Sequence, residues 1–427
     1  MLRHINRNQL HAWPARTYRE LVFETEIPLQ KDPVLFVSDP ELLKYILTQP
    51  ERYPKSPLQN RLLRKGLGDG LLTGHGEHWR RQRRSVQPMF KLAHLKSLAP
   101  YMSDAIDQTL ARWDNLPDGT QINIQHEMMM MTLDILRGAM FQRVDVDNEK
   151  MGWAVAEYLA TFGRVDLIDY FALPEWLPRP KHWRVRAASN YFDKAVAEIL
   201  TQRRADSTPP SDLLQMMLEA RDEESGKGLS DREIRDNLIT FFLAGHETTA
   251  LALSWAFYLL ALHPTIEQNL HDQISNIDSQ DASDFPYAQQ IFEESMRLYP
   301  PVPMFDRVAL EEDEVAGQRI KKGAHIFISP YVLHRHRRLW TNPNDFDPDR
   351  FSPEAVKARH RFQYLPFNAG PRACVGLNFA LMEGTLAIVR IAKRYHLRIT
   401  QTADPTPEAL VTMRPKGGIQ MTLHRQN

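Results

Sequence analysis

The sequence has little of what defines several common classes of protein. It contains one cysteine in 427 residues, so no disulfide can form within the chain, and this composition suits a reducing compartment. Its 53 basic and 53 acidic residues balance, so net charge gives no indication of nucleic-acid binding. No Gly/Ser-rich or charged linker divides the chain. We therefore expect one domain over residues 1–427, no nucleic-acid partner, and a cytoplasmic monomer.

Long apolar runs are also missing. The N-terminal residues Met-Leu-Arg-His-Ile-Asn-Arg lack the apolar core of a signal peptide. The most apolar stretch, Ala250 to Leu262, is too short to span a bilayer. We expect a soluble protein with no membrane anchor.

Helical periodicity dominates what is present, and a long helical block fills the middle of the chain. Strand patterns are short and cluster near the two ends. They cover Pro33–Val37, Arg307–Ala309, Ala324–Ile328 and Gly418–Leu423. The sequence therefore predicts a mainly α fold with small β-sheets.

One helix stands out by its length. Ser230 and Glu233 form a capping-box pattern at its start, and apolar residues then continue to a stop at His263-Pro264. Because this helix is apolar on nearly all sides, we expect it to cross the centre of the protein.

The cysteine lies in the segment Phe367-Asn368-Ala369-Gly370-Pro371-Arg372-Ala373-Cys374-Val375-Gly376. The two glycines that flank Cys374 permit a flat ligand to approach the backbone closely. A helical pattern begins at Leu377, and a thiolate is stabilised near a helix N-terminus. The segment therefore predicts an anionic sulfur suited to axial ligation of a metal.

The same segment resembles the Phe-x-x-Gly-x-Arg-x-Cys-x-Gly signature of the cytochrome P450 family. The resemblance runs from about Pro33 to the segment that ends at Gly418, and it implies the triangular-prism P450 fold with a long central helix over heme b. Cys374 is then the axial ligand of the heme iron, with Phe367, Arg372 and Gly376 beside it. No fused reductase follows in the sequence, which implies separate electron carriers.

Other segments match further landmarks of the family in the same order. Glu294 and Arg297, with Arg350 in Pro348-Asp349-Arg350-Phe351, resemble a buried ionic triad that supports the cysteine loop. An ordinary surface pair at i,i+3 is the alternative reading of Glu294 and Arg297 without that context.

A basic helix upstream resembles the Trp-x-x-x-Arg helix that binds the heme propionates. His75, Trp79 and Arg83 lie on one face at i,i+4 spacing, and Arg307 fits a further propionate contact. A solvated basic helix with one buried tryptophan is the alternative.

The Ala244-Gly245-His246-Glu247-Thr248-Thr249 cluster of the long helix resembles the oxygen-activation segment. By this likeness Ala244 and Gly245 leave room for dioxygen, and Thr248 relays protons from Glu247. Many soluble bacterial members carry Asp where Glu247 stands, a departure that keeps the acid and changes its reach. A zinc helix of the His-Glu-x-x-His type is excluded because the fifth position is Ala250.

The family's variable segments imply a lipophilic substrate bound mainly by apolar burial. The candidate pocket residues share apolar side chains, several of which could equally be core residues. They are Leu71, Leu72, Phe171, Phe241, Val302, Met304, Phe305 and Met413.

The resemblance implies O₂- and electron-dependent hydroxylation or epoxidation of a small lipophilic substrate. A fatty acid or a terpenoid is preferred, with electrons from a ferredoxin or flavodoxin and its reductase. Two alternatives stay open: a peroxide-driven or isomerising heme-thiolate enzyme, and a non-enzymatic heme-binding sensor.

Thr248→Ala distinguishes these functions. We expect uncoupling, with reductant consumed to give peroxide and little product, because the hydroxyl that relays protons is lost. The measurement is product formed per electron consumed. An unchanged ratio would contradict the role assigned to Thr248.

Overall fold

The computed structural model describes most of the chain. The described residues are 8, 10, 13–25, 32–57, 63, 64, 66–142, 144, 150, 153, 154, 157, 182–400 and 405–426. They fall into two compact units. Unit 1 comprises residues 1–56, 106–128 and 248–427, and unit 2 comprises residues 57–105 and 129–247.

The α-helices of the described residues are numbered in chain order. They are α1 Pro40–Thr48, α2 Gly76–Val86, α3 Leu92–Asp114, α4 Ile124–Met140, α5 His182–Ala205, α6 Leu213–Glu219, α7 Asp231–Leu262, α8 Pro264–Ile274, α9 Pro286–Leu298, α10 Pro330–Leu333, α11 Pro353–Ala358 and α12 Leu377–Ala392. Short 3-10 turns lie at Ala15–Tyr18, Gln87–Phe90, Ala282–Asp284, Pro348–Phe351, Arg361–Gln363 and Gly370–Arg372.

The strands of the described residues all belong to unit 1. They are β1 Val22–Thr25, β2 Val34–Val37, β3 Gln121–Asn123, β4 Phe305–Val308, β5 Asp313–Val315, β6 Gln318–Ile320, β7 His325–Ile328, β8 Tyr395–Ile399, β9 Pro407–Ala409, β10 Met413–Pro415 and β11 Gln420–Arg425.

The strands form four small sheets. The largest has the order β1-β2-β7-β4, with β2 and β7 parallel and the other pairs antiparallel. A second sheet has the order β3-β11-β8, and β9–β10 and β5–β6 are two-stranded. The mainly α fold with small sheets is confirmed, and the four predicted strand segments overlap β2, β4, β7 and β11. The sequence reading missed β8, whose partner β11 lies about twenty residues further along the chain.

The long helix α7 is confirmed at both ends. The Ser230 N–H donates to Glu233 Oε2 at 2.9 Å, and the Glu233 N–H donates to Ser230 Oγ at 3.3 Å, which completes the capping box. The helix ends at Leu262, and Pro264 begins α8 after a bend of 108°. Among the described residues no single helix is long and apolar enough to cross a bilayer. The bent pair of α7 and α8, taken together, has the length and composition of a membrane span.

Aromatic contacts and a buried ion pair hold unit 2 together. Phe90 meets Phe241 of α7 edge-on at 5.4 Å, and Phe141 stacks on Phe242 at 5.1 Å. Arg203 of α5 donates to the buried Asp212 through Nη2 at 2.6 Å. These contacts fix the N-terminal half of α7 within the unit.

The main buried polar centre of unit 1 is Arg297 of α9. Its Nε donates to Glu294 Oε2 at 2.6 Å and its Nη2 to Glu294 Oε1 at 2.8 Å. The remaining guanidinium hydrogens reach three backbone carbonyls, those of His334, Pro343 and Asp345, at 2.7–2.8 Å. All five donors of the guanidinium are therefore bound.

Arg350 completes the ionic group around Glu294. Its Nε lies 3.5 Å from Glu294 Oε1, and Glu294 also accepts the Asp347 N–H at 3.0 Å. Both Arg297 and Glu294 are fully buried. The structure thus brings the three sequence-predicted residues together.

We expect Glu294→Ala to lower the free energy of unfolding by about 3–5 kcal/mol, because it leaves the buried Arg297 cation without its counter-charge. Thermal or chemical denaturation measures this loss. Lys44→Ala is the matched control, since it removes another i,i+3 pair, with Glu41, that is exposed. Equal effects of the two substitutions would contradict a structural role for the burial of Glu294.

Candidate active site

Cys374 lies in a loop that ends at the start of α12. Its N–H donates to the Phe367 carbonyl at 2.8 Å, and α12 begins at Leu377 with Gly376 as its N-cap. Gly370 has φ +69°, and a Cβ there would lie 2.2 Å from the Leu47 carbonyl oxygen, so this position requires glycine. Cys374 itself is exposed. The loop therefore presents the sulfur outward near the positive end of a helix.

A buried histidine connects this loop to Arg297. His334 Nε2 accepts the Leu365 N–H at 2.9 Å, and His334 Nδ1 lies 3.2 Å from the Arg297 carbonyl oxygen. Since Nε2 accepts, Nδ1 carries the proton and donates it. Burial, reinforced by the nearby Arg297 charge, holds the pKa of His334 well below its usual range, which keeps the ring neutral. This role of His334 was not predicted from the sequence.

Three cations gather elsewhere in unit 1. Lys55 lies near Arg307 of β4 and Arg372 of the cysteine loop. Burial, with the charges of Arg372 and Arg307, lowers the pKa of Lys55 to about 7, and burial lowers the pKa of Arg307 to about 10. Arg307 is 2 % exposed, and its Nη2 has no hydrogen-bond partner. Such a cluster calls for anions.

Lys55 was missed in the sequence because it belongs to no motif. It stands in Tyr53-Pro54-Lys55-Ser56, and only the fold brings it to Arg307 and Arg372, more than 250 and 300 residues away.

In unit 2, α2 carries the predicted basic face. His75 is its N-cap and is exposed, whereas Trp79 is buried and donates its indole N–H to the Leu71 carbonyl at 3.2 Å. Arg83 Nε donates to Gln87 Oε1 at 3.1 Å. The predicted helix is present, and the roles of these three residues toward heme stay predictions.

The middle of α7 has an open face. Ala244 is exposed and Thr248 is partly exposed, although this helix is otherwise largely buried there. The two residues are spaced i,i+4 and so share one face of the helix. Glu247, beside Thr248, is 2 % exposed. Thr248, at this open face, is therefore preceded in the chain by a buried carboxyl group.

Gly245 has a packing reason to be glycine. A Cβ at this position would lie 3.1 Å from Leu136 Cδ2 of α4. In addition, Thr132 Oγ1 of α4 donates to the His246 carbonyl at 2.9 Å. Close approach of α4 therefore restricts the side chain at position 245, and the role of Ala244 and Gly245 in leaving room for dioxygen stays a prediction.

The candidate pocket residues fall in both units. In unit 1, Phe305 and Met413 are buried and Val302 and Met304 are partly buried, and the Met413 N–H donates to the Pro301 carbonyl at 2.9 Å. In unit 2, Leu71 and Phe241 are buried and Leu72 is 36 % exposed. Phe171 lies outside the described residues.

A buried acid on α12 escaped the sequence reading. Glu383 is fully buried, neither of its carboxyl oxygens has a hydrogen-bond partner, and Thr249 of α7 lies nearby. Burial raises the pKa of Glu383 to about 8, against a smaller opposite effect of Thr249. The signal was available, because Glu383 and Arg390 are the only charged residues between Leu377 and Ala392.

Comparisons with known proteins agree on one family. The model of the family "Cytochrome P450" matches residues 6–423. Cyclooctatin synthase of Streptomyces melanosporofaciens is 34 % identical over 92 % of this chain and 85 % of its own length. Pentalenene oxygenase of Streptomyces avermitilis is 33 % identical over 88 % of this chain and 84 % of its own length. The crystal structure of the cytochrome P450DA heme domain superimposes with a TM-score of 0.84 at 25 % identity, covering 95 % and 90 % of the two chains.

The exposed thiol of Cys374 and the cation cluster belong to a heme-thiolate monooxygenase. The chain is a member of the cytochrome P450 family. Its cofactor is heme, and the residues present fit that group. Cys374 is exposed in unit 1, so its sulfur can bind the heme iron. Arg307 Nη2 has no hydrogen-bond partner and can donate to an acceptor such as a propionate.

Glu383→Gln tests the buried acid through the pH dependence of stability. The folded protein keeps this proton up to about pH 8, whereas the unfolded chain releases it near pH 4.5. The stability from Glu383 is fully present below the unfolded pKa and is lost as pH rises through the folded pKa. Relative to the variant, the wild type should lose up to about 1.4 kcal/mol of unfolding free energy per pH unit between about pH 5 and 8.

The measurement is denaturation of both heme-loaded proteins across this range. Glu354→Gln, at an exposed site on α11, is the control and should leave the slope unchanged. Parallel curves for the wild type and Glu383→Gln would show that Glu383 is ionised in the folded protein.

Proposed function

We propose that this P450 inserts one atom of O₂ into a C–H or C=C bond of a terpenoid, with electrons supplied by a separate ferredoxin or flavodoxin and its reductase. The observation that carries the proposal is the open face of α7, where Thr248 is partly exposed and the preceding residue, Glu247, is buried. A monooxygenase must deliver protons to oxygen in a site that excludes bulk water, and this pair provides them.

This function assigns a role to each residue of the predicted heme site. Cys374 binds the heme iron, while Phe367 and Gly376 shape the loop around the sulfur. Lys55, Arg307 and Arg372 of unit 1 bind the propionates. When bound, heme supplies the redox chemistry of oxygen activation, which a thiolate ligand favours.

On the substrate side, Ala244 leaves the face of α7 open and Thr248 holds a proton there. Glu247 supplies the next proton from its buried position. Apolar side chains bind the substrate by excluding water, as expected for a hydrocarbon skeleton. Val302, Met304, Phe305 and Met413 of unit 1 are the proposed lining residues. The contribution of Leu71, Leu72, Phe171 and Phe241 stays a prediction from the sequence.

The terpenoid class is supported by two relatives. A cyclooctatin synthase and a pentalenene oxygenase are 34 % and 33 % identical to this chain, and both names refer to terpenoid products or substrates. We further propose that residues 1–427 act as one monomeric domain in the cytoplasm, in agreement with the single cysteine.

A spectral titration tests the substrate class. We expect terpenoid hydrocarbons and alcohols to convert the ferric absorbance spectrum saturably from low spin to high spin, because an apolar ligand displaces water from the iron. Fatty acids, steroids and simple aromatics are titrated in parallel. Terpenoids that bind are then incubated with O₂ and the redox partners, and separately with peroxide, and the products are analysed.

Met304→Trp should abolish the shift by filling the pocket. Leu310→Trp is the matched control, because it adds the same side chain at a position that is 49 % exposed. A shift with fatty acids alone would overturn the terpenoid class. Product from peroxide alone, with none from O₂ and electrons, would favour the peroxide-driven alternative.

A further inference from the structure

A cluster of metal-ligating side chains lies in unit 1, apart from the cysteine loop. Glu267 and His271 stand at i,i+4 on α8, and His396 lies on β8. One ligand atom of each residue lies within 4.8 Å of the other two. Glu267 and His271 are buried, and the side chain of His396 is 31 % exposed. The cluster is thus mostly enclosed but open at His396.

The distances are those of a coordination site. His396 Nδ1 lies 3.1 Å from Glu267 Oε1, and His271 Nε2 lies 3.9 Å from the same oxygen. Two ligand atoms across a tetrahedral zinc ion, each 2.0–2.1 Å from it, are about 3.3 Å apart. The two separations bracket this value, so small side-chain rotations complete the geometry.

The carboxylate of Glu267 can also accept a metal ion. The paired cation of Arg398 favours the ionised form of Glu267, which is the form that binds a metal ion. Arg398 Nη1 donates to both carboxylate oxygens, at 2.9 and 2.8 Å. A carboxylate has about four lone-pair sites, so sites remain for a metal ion.

We propose that Glu267, His271 and His396 bind one Zn²⁺ ion. Two imidazoles and a carboxylate are ligands that zinc accepts, and a water molecule fills the fourth position. Gln426 Nε2 lies 2.6 Å from His271 Nδ1 and 3.1 Å from His271 Nε2, so this amide turns away from Nε2 when the ion binds. Because the ligands come from α8 and β8, the ion joins a helix to a sheet and stabilises the folded protein.

Arg398 opposes the ion through its charge, and this gives the site a distinctive test. Its side chain is 43 % exposed, so a substitution there leaves the core intact. Arg398→Gln keeps an N–H donor for Glu267 but removes the positive charge. We expect this variant to bind Zn²⁺ about tenfold more tightly, a difference of about 1.4 kcal/mol, whereas His271→Gln and His396→Gln each bind at least tenfold more weakly.

The experiment is equilibrium dialysis of the heme-loaded, tag-free protein against ZnCl₂, with metal counted by elemental analysis, and a thermal melt with and without Zn²⁺. The ferrous–CO spectrum confirms that each variant is folded with its thiolate in place. His94→Gln, at an exposed histidine on α3, is the matched control and should bind like the wild type. MgCl₂ should neither bind nor raise the melting temperature, since magnesium prefers oxygen ligands.

One zinc ion per chain, lost in both histidine variants and held more tightly by Arg398→Gln, is the expected result. Zinc that remains bound to the His271→Gln/His396→Gln double variant would place the ion elsewhere and overturn the proposal. Equal affinity of the wild type and Arg398→Gln, or no bound zinc in either, would also overturn it.

Discussion

The buried guanidinium of Arg297 is the constraint on which much of unit 1 depends. A cation taken out of water costs several kcal/mol unless its donors are all bound and a counter-charge is near. Glu294 supplies that charge and two of the five acceptors, and the carbonyls of His334, Pro343 and Asp345 supply the rest. Two backbone segments, one at His334 and one from Pro343 to Asp345, must therefore reach the same point of α9. The chain around them has little freedom once Arg297 is in place.

Hydrogen bonds connect Arg297 to the cysteine loop and restrict the conformation of the loop. Arg297 fixes the backbone of His334, and His334 holds the Leu365 N–H through Nε2. Two residues later the Phe367 carbonyl accepts the Cys374 N–H. The backbone of Cys374 is therefore held by a chain of hydrogen bonds that begins at Arg297. Because His334 accepts at Nε2, its neutral form is required, and the lowered pKa that burial produces supplies it.

Sequence patterns predicted the features that depend on near neighbours. The capping box at Ser230 and the helix after Cys374 are local in the chain, and both are present. The identity of the family came from one segment with its spacing. Lys55 was missed because its significance arises from partners more than 250 residues away, which no local pattern encodes. Glu383 was missed although it interrupts an apolar helix sequence, because only the fold shows that its carboxyl group is buried. Gly245 is a different case. The sequence predicts that it leaves room for dioxygen, and the structure adds that it packs closely against Leu136.

Two buried arginines of unit 1 differ in whether all their hydrogen-bond donors have acceptors, and this difference separates a structural residue from a candidate binding residue. Arg297 and Arg307 are almost equally buried, at 0 % and 2 % exposure. Arg297 has every donor bound, whereas Arg307 leaves Nη2 without an acceptor beside two other cations. The carboxylate of Asp306 favours the charged form of Arg307, yet Nη2 still has no hydrogen-bond acceptor. A buried donor without an acceptor costs free energy, so Arg307 can bind an added anionic group, whereas Arg297 has no donor left for one.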